Sequence, residues 1–198
     1  MQIELKILNK RFYSEESNGM LLNPLPGYST PGSAAIDLVC TEDVTIYPGE
    51  TKMIHTGLAI WIGSDQHQTD PSHTVSQWLS TVHTQVSIAG LILPRSGLGT
   101  KGLILANTIG LIDEDYQGEL KVSAWNRNQD KIETFDDCHY DEWVTHTEIT
   151  KGDTIELKAG DRFAQLMVIP VIKAQFNVVE EFSGSTQRDK GGFGSTGA

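Results

Sequence analysis

Short apolar or alternating runs, separated by turns rich in Gly, Pro, Asn and Asp, make up most of this chain. In "ELKVSAW" the apolar residues Leu120, Val122 and Ala124 alternate with more polar neighbours, which is the period of a half-buried strand. No long stretch repeats every three or four residues, so we expect at most a short helix. The pattern predicts an all-β fold, a sandwich or barrel, with strands within residues 3–8, 34–40, 43–47, 51–60, 86–93, 103–112, 119–126, 154–160 and 163–172.

Two polar stretches interrupt this rhythm, at about residues 63–86 and 129–155. The histidines and the cysteine that they contain match no zinc-binding spacing, so surface loops are the better interpretation. The second stretch is acidic, with eight Asp and Glu against two Lys between positions 128 and 153. We expect inert surface hairpins, since loops accept insertions at low cost. The aromatic residues Trp78, Tyr140 and Trp143 keep a protein-binding role open.

Composition narrows the classes of function. The chain has 198 residues, 38% of them hydrophobic, which fits one globular domain. Its net charge of −11 argues against a general nucleic-acid binder, although local arginines can still hold a small phosphorylated substrate. No run is long enough to span a membrane, and the N-terminus lacks the basic start of a signal peptide. Two cysteines, Cys40 and Cys138, are too few for a disulfide framework, so we expect a cytoplasmic protein.

Four short blocks combine turn residues with charge. "PRSGLG" places Arg95 and Ser96 beside Gly97, a combination that suits a phosphate. "GLIDEDYQGEL" sets three acids after an apolar run, and strand alternation would put Asp113 on the face opposite Glu114. "GDRFAQLMV" offers Arg162 and Gln165 at the start of a strand, and "AAIDLVC" contains one acid, Asp37. A structural ion pair explains Asp37 at least as well as catalysis does.

The chain ends in "RDKGGFGSTGA", which contains the pattern G-x-G-x-x-G. That pattern binds dinucleotides only where a helix follows, and here a single alanine follows, so the Rossmann interpretation fails. A glycine-rich end is ordinarily a disordered terminus. An arginine, an aromatic ring and exposed amides in such a tail can instead close over an anionic ligand.

The blocks gain meaning from their order: "GSAAIDL", "PRSGLG", "NTIGLIDEDYQGE", "GDRFAQL" and "RDKGGFGSTG" follow one another along the chain. Together they resemble the five motifs of the homotrimeric dUTPase family. The resemblance runs from the N-terminal strand to the last residues and leaves out the two polar stretches. It implies a distorted jelly roll of residues 1–182, with insertions at 63–86 and 129–155 and a flexible C-terminal arm at 183–198.

The resemblance implies hydrolysis of dUTP to dUMP and pyrophosphate by water attack on the α-phosphate. This reaction keeps uracil out of DNA and supplies dUMP for dTMP synthesis. Asp113 corresponds to the aspartate that deprotonates the water and contacts the 3′-hydroxyl. Tyr116 corresponds to the ring that lies against the deoxyribose and excludes a 2′-hydroxyl. A hairpin that forms the uracil pocket would contain Asn107, Gly110, Leu111, Ile112 and Lys121.

The same resemblance assigns the phosphates to Arg95, Ser96, Gly97 and Gln165, with Arg162 either a phosphate contact or an ion-pair partner. Mg²⁺ would arrive bound to the triphosphate, without direct protein ligands, and Asp37 would lie in its outer shell or fix an arginine. The arm would order over the nucleotide. Its implied contacts with base and phosphates come from Arg188, Phe193, Gly194, Ser195 and Thr196.

The family also implies a homotrimer with active sites between subunits. Two other functions compete with this interpretation. A dCTP deaminase of the same superfamily would lack the "GLIDEDYQGE" block, which is intact here. A binding or regulatory protein that uses the insertions is the second alternative, and the intact Asp113, Tyr116 and Phe193 argue only against a purely non-catalytic form of it.

Overall fold

The computed structural model describes residues 3–10, 13, 26–62, 85–139 and 142–186. Most of the first polar stretch, and Arg188, Phe193, Gly194, Ser195 and Thr196 of the predicted arm, lie outside these residues. The described chain contains one short helix, α1 (Ser96–Thr100), so the prediction of an all-β fold with little helix is confirmed. The strands are β1 (Glu4–Ile7), β2 (Ile36–Val39), β3 (Val44–Ile46), β4 (Thr51–Trp61), β5 (Gln85–Pro94), β6 (Leu103–Leu105), β7 (Gly110–Ile112), β8 (Glu119–Asn126), β9 (Lys131–His139), β10 (Glu142–Thr150), β11 (Ile155–Leu157) and β12 (Arg162–Lys173).

Two four-stranded antiparallel sheets form the body of the domain. One has the order β1-β4-β8-β6 and the other the order β2-β12-β5-β7. Their apolar positions meet in one core, to which Ile54 and Val122 contribute from the first sheet and Ile92 and Leu166 from the second. The alternation predicted for β8 is confirmed, because Leu120, Val122 and Ala124 are buried while Lys121 is exposed. Burial of one face per sheet fixes the strand register.

The ribbon β3-β11 carries Ile46, Ile155 and Leu157 into the same core. Buried Asn126, at the end of β8, ties this ribbon to the first sheet. Its Nδ2 donates to the carbonyl oxygens of Ile46 and Asp153, both at 2.9 Å. A buried amide is tolerated when its hydrogen bonds are made, and here it links three segments of the chain.

The apolar run at 103–112 differs from its prediction as one strand. It forms β6 and β7, which belong to different sheets and do not pair with each other. Between them Thr108 adopts a φ of +64°, and its N–H donates to the Leu105 carbonyl at 3.0 Å. This turn redirects the chain, so that β7 pairs with β5. β6 pairs antiparallel with β8, which carries Lys121, and Asn107 and Gly110 lie in the connection between these two paired strands.

The acidic stretch forms a hairpin of β9 and β10, which pair only with each other among the described strands. The hairpin form is therefore confirmed, with its strands at 131–150 inside the predicted bounds. Asp130 closes its base, accepting from Lys151 Nζ at 2.7 Å and from the Gly152 amide at 3.0 Å. These hydrogen bonds, that of Lys151 first, lower the pKa of Asp130 below its ordinary value.

Candidate active site

An ion-pair network is present where β5 ends. Arg95 Nε lies 2.9 Å from one carboxylate oxygen of Asp37, and Arg162 Nη1 lies 3.3 Å from the other. Arg95 also donates from Nη1 to the Arg162 carbonyl at 3.1 Å. The structural ion pair predicted for Asp37 is present. Since both of its oxygens face guanidinium groups, the arrangement supports the alternative in which Asp37 fixes an arginine.

The predicted phosphate-binding residues lie beside this network. Gln165 Nε2 donates to the Pro94 carbonyl at 3.0 Å, which places its amide next to Arg95. Ser96 and Gly97 are exposed at the start of α1, inside the block that the sequence predicted as a turn. A Cβ at Gly97 would meet no atom within 4 Å, so open space borders this surface. The structure thus brings Arg95, Ser96, Gly97 and Gln165 together.

The acidic block follows β7 as a turn. β7 ends at Ile112, and the Tyr116 N–H donates to the Asp113 carbonyl at 3.2 Å. The prediction that Asp113 and Glu114 lie on opposite faces of a strand is wrong, because the chain turns instead of extending. Asp113 is exposed, and within the described part of the chain no hydrogen bond or ion pair involves its carboxylate. That carboxylate is therefore open to a ligand.

Glu114 anchors this turn, a role that the sequence analysis missed. Its Oε1 lies 2.5 Å from Lys173 Nζ at the end of β12, and its Oε2 accepts a hydrogen bond from Ser87 of β5. The Lys173 hydrogen bond, followed by that of Ser87, lowers the pKa of Glu114. The available signal was Ser87 itself, a buried hydroxyl in the otherwise apolar run "VSIAGLIL".

Tyr116 follows the turn with its side chain 42% exposed. Its hydroxyl donates to the Glu119 carbonyl at 2.9 Å. The Glu119 carboxylate is held in turn by β4, accepting from the Gly57 amide at 3.1 Å and lying 2.9 Å from His55 Nδ1. Lys121 Nζ is 3.7 Å from the same carboxylate. Tyr116 and Lys121 are therefore connected through Glu119.

β7 presents the other predicted base contacts at the edge of its sheet. Leu111 is 62% exposed, whereas Ile112 is half-buried. Gly110 allows the close pairing with β5, because a Cβ there would lie 3.0 Å from the Ile92 Cβ. Asn107 precedes this strand in an exposed turn. Gly110, Leu111 and Ile112 thus form an edge strand beside β5 and lead directly to Asp113.

Asp113 and Arg95 lie far apart along β5, Asp113 beside the middle of the strand and Arg95 directly after its last residue. Ile112 pairs with Gly90, so Asp113 lies beside Ala89, six positions before Arg95. At a rise of about 3.3 Å per residue, this separation is about 20 Å. One chain therefore does not bring Asp113 to Arg95.

A cleft of about 640 Å³ lies elsewhere on the domain. It is lined by Leu8, Asn9, Lys10, Thr41, Glu42, His55, Gly57 and Glu119, none of which is a predicted site residue.

Among the described residues, no group of three or more His, Cys, Asp and Glu side chains is arranged to hold a metal ion. Within the same residues, no helix has the length and apolarity needed to cross a membrane. Cys40 is buried and Cys138 is exposed, and both are free thiols. Burial raises the pKa of the Cys40 thiol, which makes it a poor nucleophile.

A two-sheet all-β domain with a carboxylate-held arginine at the end of β5 and an open carboxylate after β7 fits a hydrolase of phosphorylated substrates. The sequence model of the dUTPase family matches residues 68–135 and 148–197. The chain belongs to the dUTPase family. Besides residues 1–67 and residue 198, the matched ranges leave out 136–147, which is the outer part of the β9-β10 hairpin.

Curated relatives extend the match to the whole chain. The deoxyuridine 5′-triphosphate nucleotidohydrolase of Francisella tularensis subsp. holarctica is 42% identical over 200 residues, covering 100% of this chain and 99% of the relative. The Shewanella oneidensis protein of the same name is 43% identical over 198 residues, covering 98% and 96%. The dUTPase of Staphylococcus bacteriophage 80alpha, solved with dUPNHPP, shares the fold with a TM-score of 0.66 and 23% identity, covering 100% and 99%.

Proposed function

We propose that this protein hydrolyses dUTP to dUMP and pyrophosphate by water attack on the α-phosphate. The reaction keeps uracil out of DNA and supplies dUMP for dTMP synthesis. The observation that carries the proposal is 42% identity over the full chain to a deoxyuridine triphosphate nucleotidohydrolase, with the Asp113 turn and the Arg95 network both intact. The free thiols of Cys40 and Cys138 support a reducing compartment such as the cytoplasm.

Asp113 acts as the general base that takes a proton from the attacking water, and it also contacts the 3′-hydroxyl. Two features support this role. The Asp113 carboxylate is exposed, and no described residue forms a hydrogen bond or an ion pair with it. A carboxylate already bound by a lysine, like that of Glu114, is a weaker base because the ion pair lowers its pKa. We therefore assign the base to Asp113 and the anchor to Glu114.

The phosphates bind at Arg95, Ser96, Gly97 and Gln165. Asp37 holds the Arg95 guanidinium in place before substrate arrives, so little reorganisation is needed on binding. The family resemblance implies that Mg²⁺ arrives bound to the triphosphate, where it usually keeps several waters. When bound, Mg²⁺ supplies charge neutralisation. The chain's own contribution is to position the phosphate oxygens beside Arg95.

The base and sugar bind along β7 and the residues that follow it. Asn107, Gly110, Leu111, Ile112 and Lys121 enclose the uracil, and Tyr116 lies against the deoxyribose. The exposure of Leu111 and Tyr116 supports this assignment, since both rest uncovered in the single chain. The closing contacts of Arg188, Phe193, Gly194, Ser195 and Thr196 lie outside the described residues and remain predictions from the family motif.

Two properties support a homotrimer with sites between subunits. The Asp113 and Arg95 groups are about 20 Å apart along β5, too far to act on one α-phosphate. The segment after β12 exposes Phe176, Val178 and Phe182 by 92%, 96% and 91%. Such exposure of large apolar side chains marks an interaction surface. A neighbouring copy would cover this segment and bring its own Asp113 to Arg95.

The first experiment measures pyrophosphate release from dUTP, dTTP, dCTP and UTP with Mg²⁺. We expect release from dUTP only, and a loss of about 10²–10⁴-fold in Asp113→Asn, which keeps the shape of the side chain but removes the base. Deamination of dCTP would favour the rival enzyme. Release from none of the four nucleotides would overturn the proposed activity.

Subunit mixing tests the shared site. Asp113→Asn and Arg95→Ala chains are unfolded together and refolded, so that mixed trimers form. If Asp113 of one chain serves Arg95 of another, about a quarter of the sites in a 1:1 mixture regain both wild-type groups. If each chain forms its own site, refolding restores none. Refolding each variant alone is the control.

A second function, binding of a protein partner, is favoured by the β9-β10 hairpin. Its register puts Ile132 opposite Ile149 and Cys138 opposite Trp143 on one face. Ile132, Ile149 and Trp143 are 66%, 55% and 76% exposed. An isolated two-stranded hairpin is only marginally stable in water, so a partner that covers this face would also stabilise it.

The opposite face of the hairpin carries three acids beside the exposed Phe135 and Val144. Glu133 lies directly across from Glu148, and Asp137 is on the same face. Like charges opposite each other are unfavourable, so basic groups of a partner would relieve the repulsion. A pull-down with and without dUTP, using the full chain and a variant with 132–149 replaced by a short turn, tests the idea. A partner retained equally by both proteins would overturn it.

A further inference from the structure

The ring of Tyr116 passes over the backbone of Gly118. A Cβ built on Gly118 would meet the Tyr116 hydroxyl, its Cζ at 2.6 Å and its Cε2 at 3.0 Å. These three atoms are the nearest neighbours of that position, and all belong to Tyr116. Gly118 therefore leaves a gap that the tyrosine fills.

The gap does not reflect a backbone requirement. The φ of Gly118 lies outside the left-handed region, so an alanine can adopt the same backbone conformation. The obstacle to a methyl group is the far end of a single side chain that is 42% exposed. An alanine would thus push the tyrosine ring aside at little cost to the fold, because neither backbone nor core has to move.

The partner of the Tyr116 hydroxyl is itself fixed. The hydroxyl donates to the Glu119 carbonyl at 2.9 Å, and the Glu119 carboxylate is tied to β4 through the Gly57 amide and His55. The ring is consequently held between a stationary acceptor and the open surface of Gly118. A ring displaced by a methyl group would lose this hydrogen bond together with its position.

We propose that Gly118 is a positioning residue for sugar specificity: by having no side chain, it lets the Tyr116 ring lie where it excludes a ribose 2′-hydroxyl. The inference rests on the proposed function, in which Tyr116 contacts the deoxyribose. It adds the reason why the ring can occupy that place, and it assigns a measurable role to a residue that has no side chain.

The test compares kcat/KM for dUTP and UTP in wild type, Gly118→Ala, Tyr116→Ala and the double variant. Gly118→Ala should reduce the preference for dUTP over UTP about tenfold or more, the scale of one misplaced group in a specificity pocket. Its thermal midpoint should match that of Gly32→Ala, a control in which the added Cβ meets no atom within 4 Å.

The double variant separates positioning from a general structural effect. If Gly118 acts only through Tyr116, Tyr116→Ala and Tyr116→Ala with Gly118→Ala should have the same dUTP preference within about twofold. Additive losses would overturn the proposal, as would an unchanged preference in Gly118→Ala. Should wild type not hydrolyse dUTP, the proposed function fails, and a crystal structure of Gly118→Ala then decides whether the ring has moved.

Discussion

The two halves of the proposed site lie along β5, one at its end near Pro94 and one beside its middle and toward its start, and they are built differently. At the end near Pro94, Arg95 is held by Asp37, which also pairs with Arg162. In the other half, the carboxylate of Asp113 meets no partner among the described residues, while its neighbour Glu114 is tied to Lys173 and Ser87. One half fixes the functional group itself, and the other fixes the residue beside it.

The difference fits the role that we propose for each group. A guanidinium that binds phosphate benefits from being held in advance, since its charge does not change during the reaction. A general base must accept a proton, and a cation bound to it would oppose that by lowering its pKa. Anchoring Glu114 therefore positions Asp113 and leaves its carboxylate chemically available.

Of the variants that alter the anchoring of the two halves, the largest loss of activity is expected from removing Arg95. Arg95→Ala should lower kcat/KM for dUTP about 100-fold or more, because a pre-positioned cation is lost from the phosphate site. Arg162→Ala should cost less than about tenfold, since the Arg162 side chain is 57% exposed against 33% for Arg95 and lies farther from Asp37. Steady-state kinetics on both variants checks the order, and equal losses would contradict it.

Removing the shared carboxylate has the next largest effect. Asp37→Asn leaves two guanidinium groups without their counter-charge, so we expect kcat/KM to fall about tenfold and the free energy of unfolding to fall by about 1 kcal/mol. The matched control is Asp43→Asn, which breaks an exposed pair with Lys158 on the β3-β11 ribbon. Kinetics and urea unfolding measure both, and an equal loss of activity in the control would exclude a specific role for Asp37.

The fold class could be predicted because a strand that buries one face has apolar and polar residues in alternation. For β8 this alternation was predicted residue by residue. The chain between 103 and 112 was harder, because Thr108 is not a usual turn residue and only the structure places β6 and β7 in separate sheets. A local pattern of apolar and polar residues does not predict the pairing of Glu114 with Lys173, because the two lie 59 positions apart in the sequence.

The order of motifs named the candidate residues, yet it could not say which of them one chain brings together. Strand pairing decides that: β7 lies antiparallel to β5, so Asp113 lies beside the middle of that strand and away from Arg95. One sequence also does not show whether a neighbouring copy brings its Asp113 close to Arg95. The exposure of Phe176, Val178 and Phe182, which supports such a neighbouring copy, is seen only in the structure.

A smaller effect on activity is expected when the Glu114 anchor is weakened and Asp113 is left unchanged. Glu114→Gln removes the charge that pairs with Lys173, so kcat should fall about threefold as the Asp113 turn loosens. Because the folded-state pKa of Glu114 is lowered from 4.5, its ionised form stabilises the protein fully above that ordinary value. This contribution is lost as the pH falls below 4.5 and through the lowered pKa.

Thermal unfolding from neutral pH to about pH 3 measures the difference between wild type and Glu114→Gln. The gap in melting temperature should be largest at neutral pH and should close on acidification. Asp115→Asn, which alters an exposed acid in the same turn, is the control and should show no such gap. A gap that is constant with pH would mean that the Lys173 pair does not stabilise the turn.

The smallest effect is expected from the β9-β10 hairpin, whose outer part the family model does not match. Replacing 132–149 with a two-residue turn, while keeping Asp130, Lys151 and Gly152 at the base, should change the melting temperature by less than about 2 °C, because β9 and β10 pair only with each other among the described strands. Turnover of dUTP should be unchanged. A marked loss of stability would indicate that the exposed Ile132 and Trp143 are covered by a neighbouring copy, which would assign the hairpin to the proposed oligomer rather than to a separate partner.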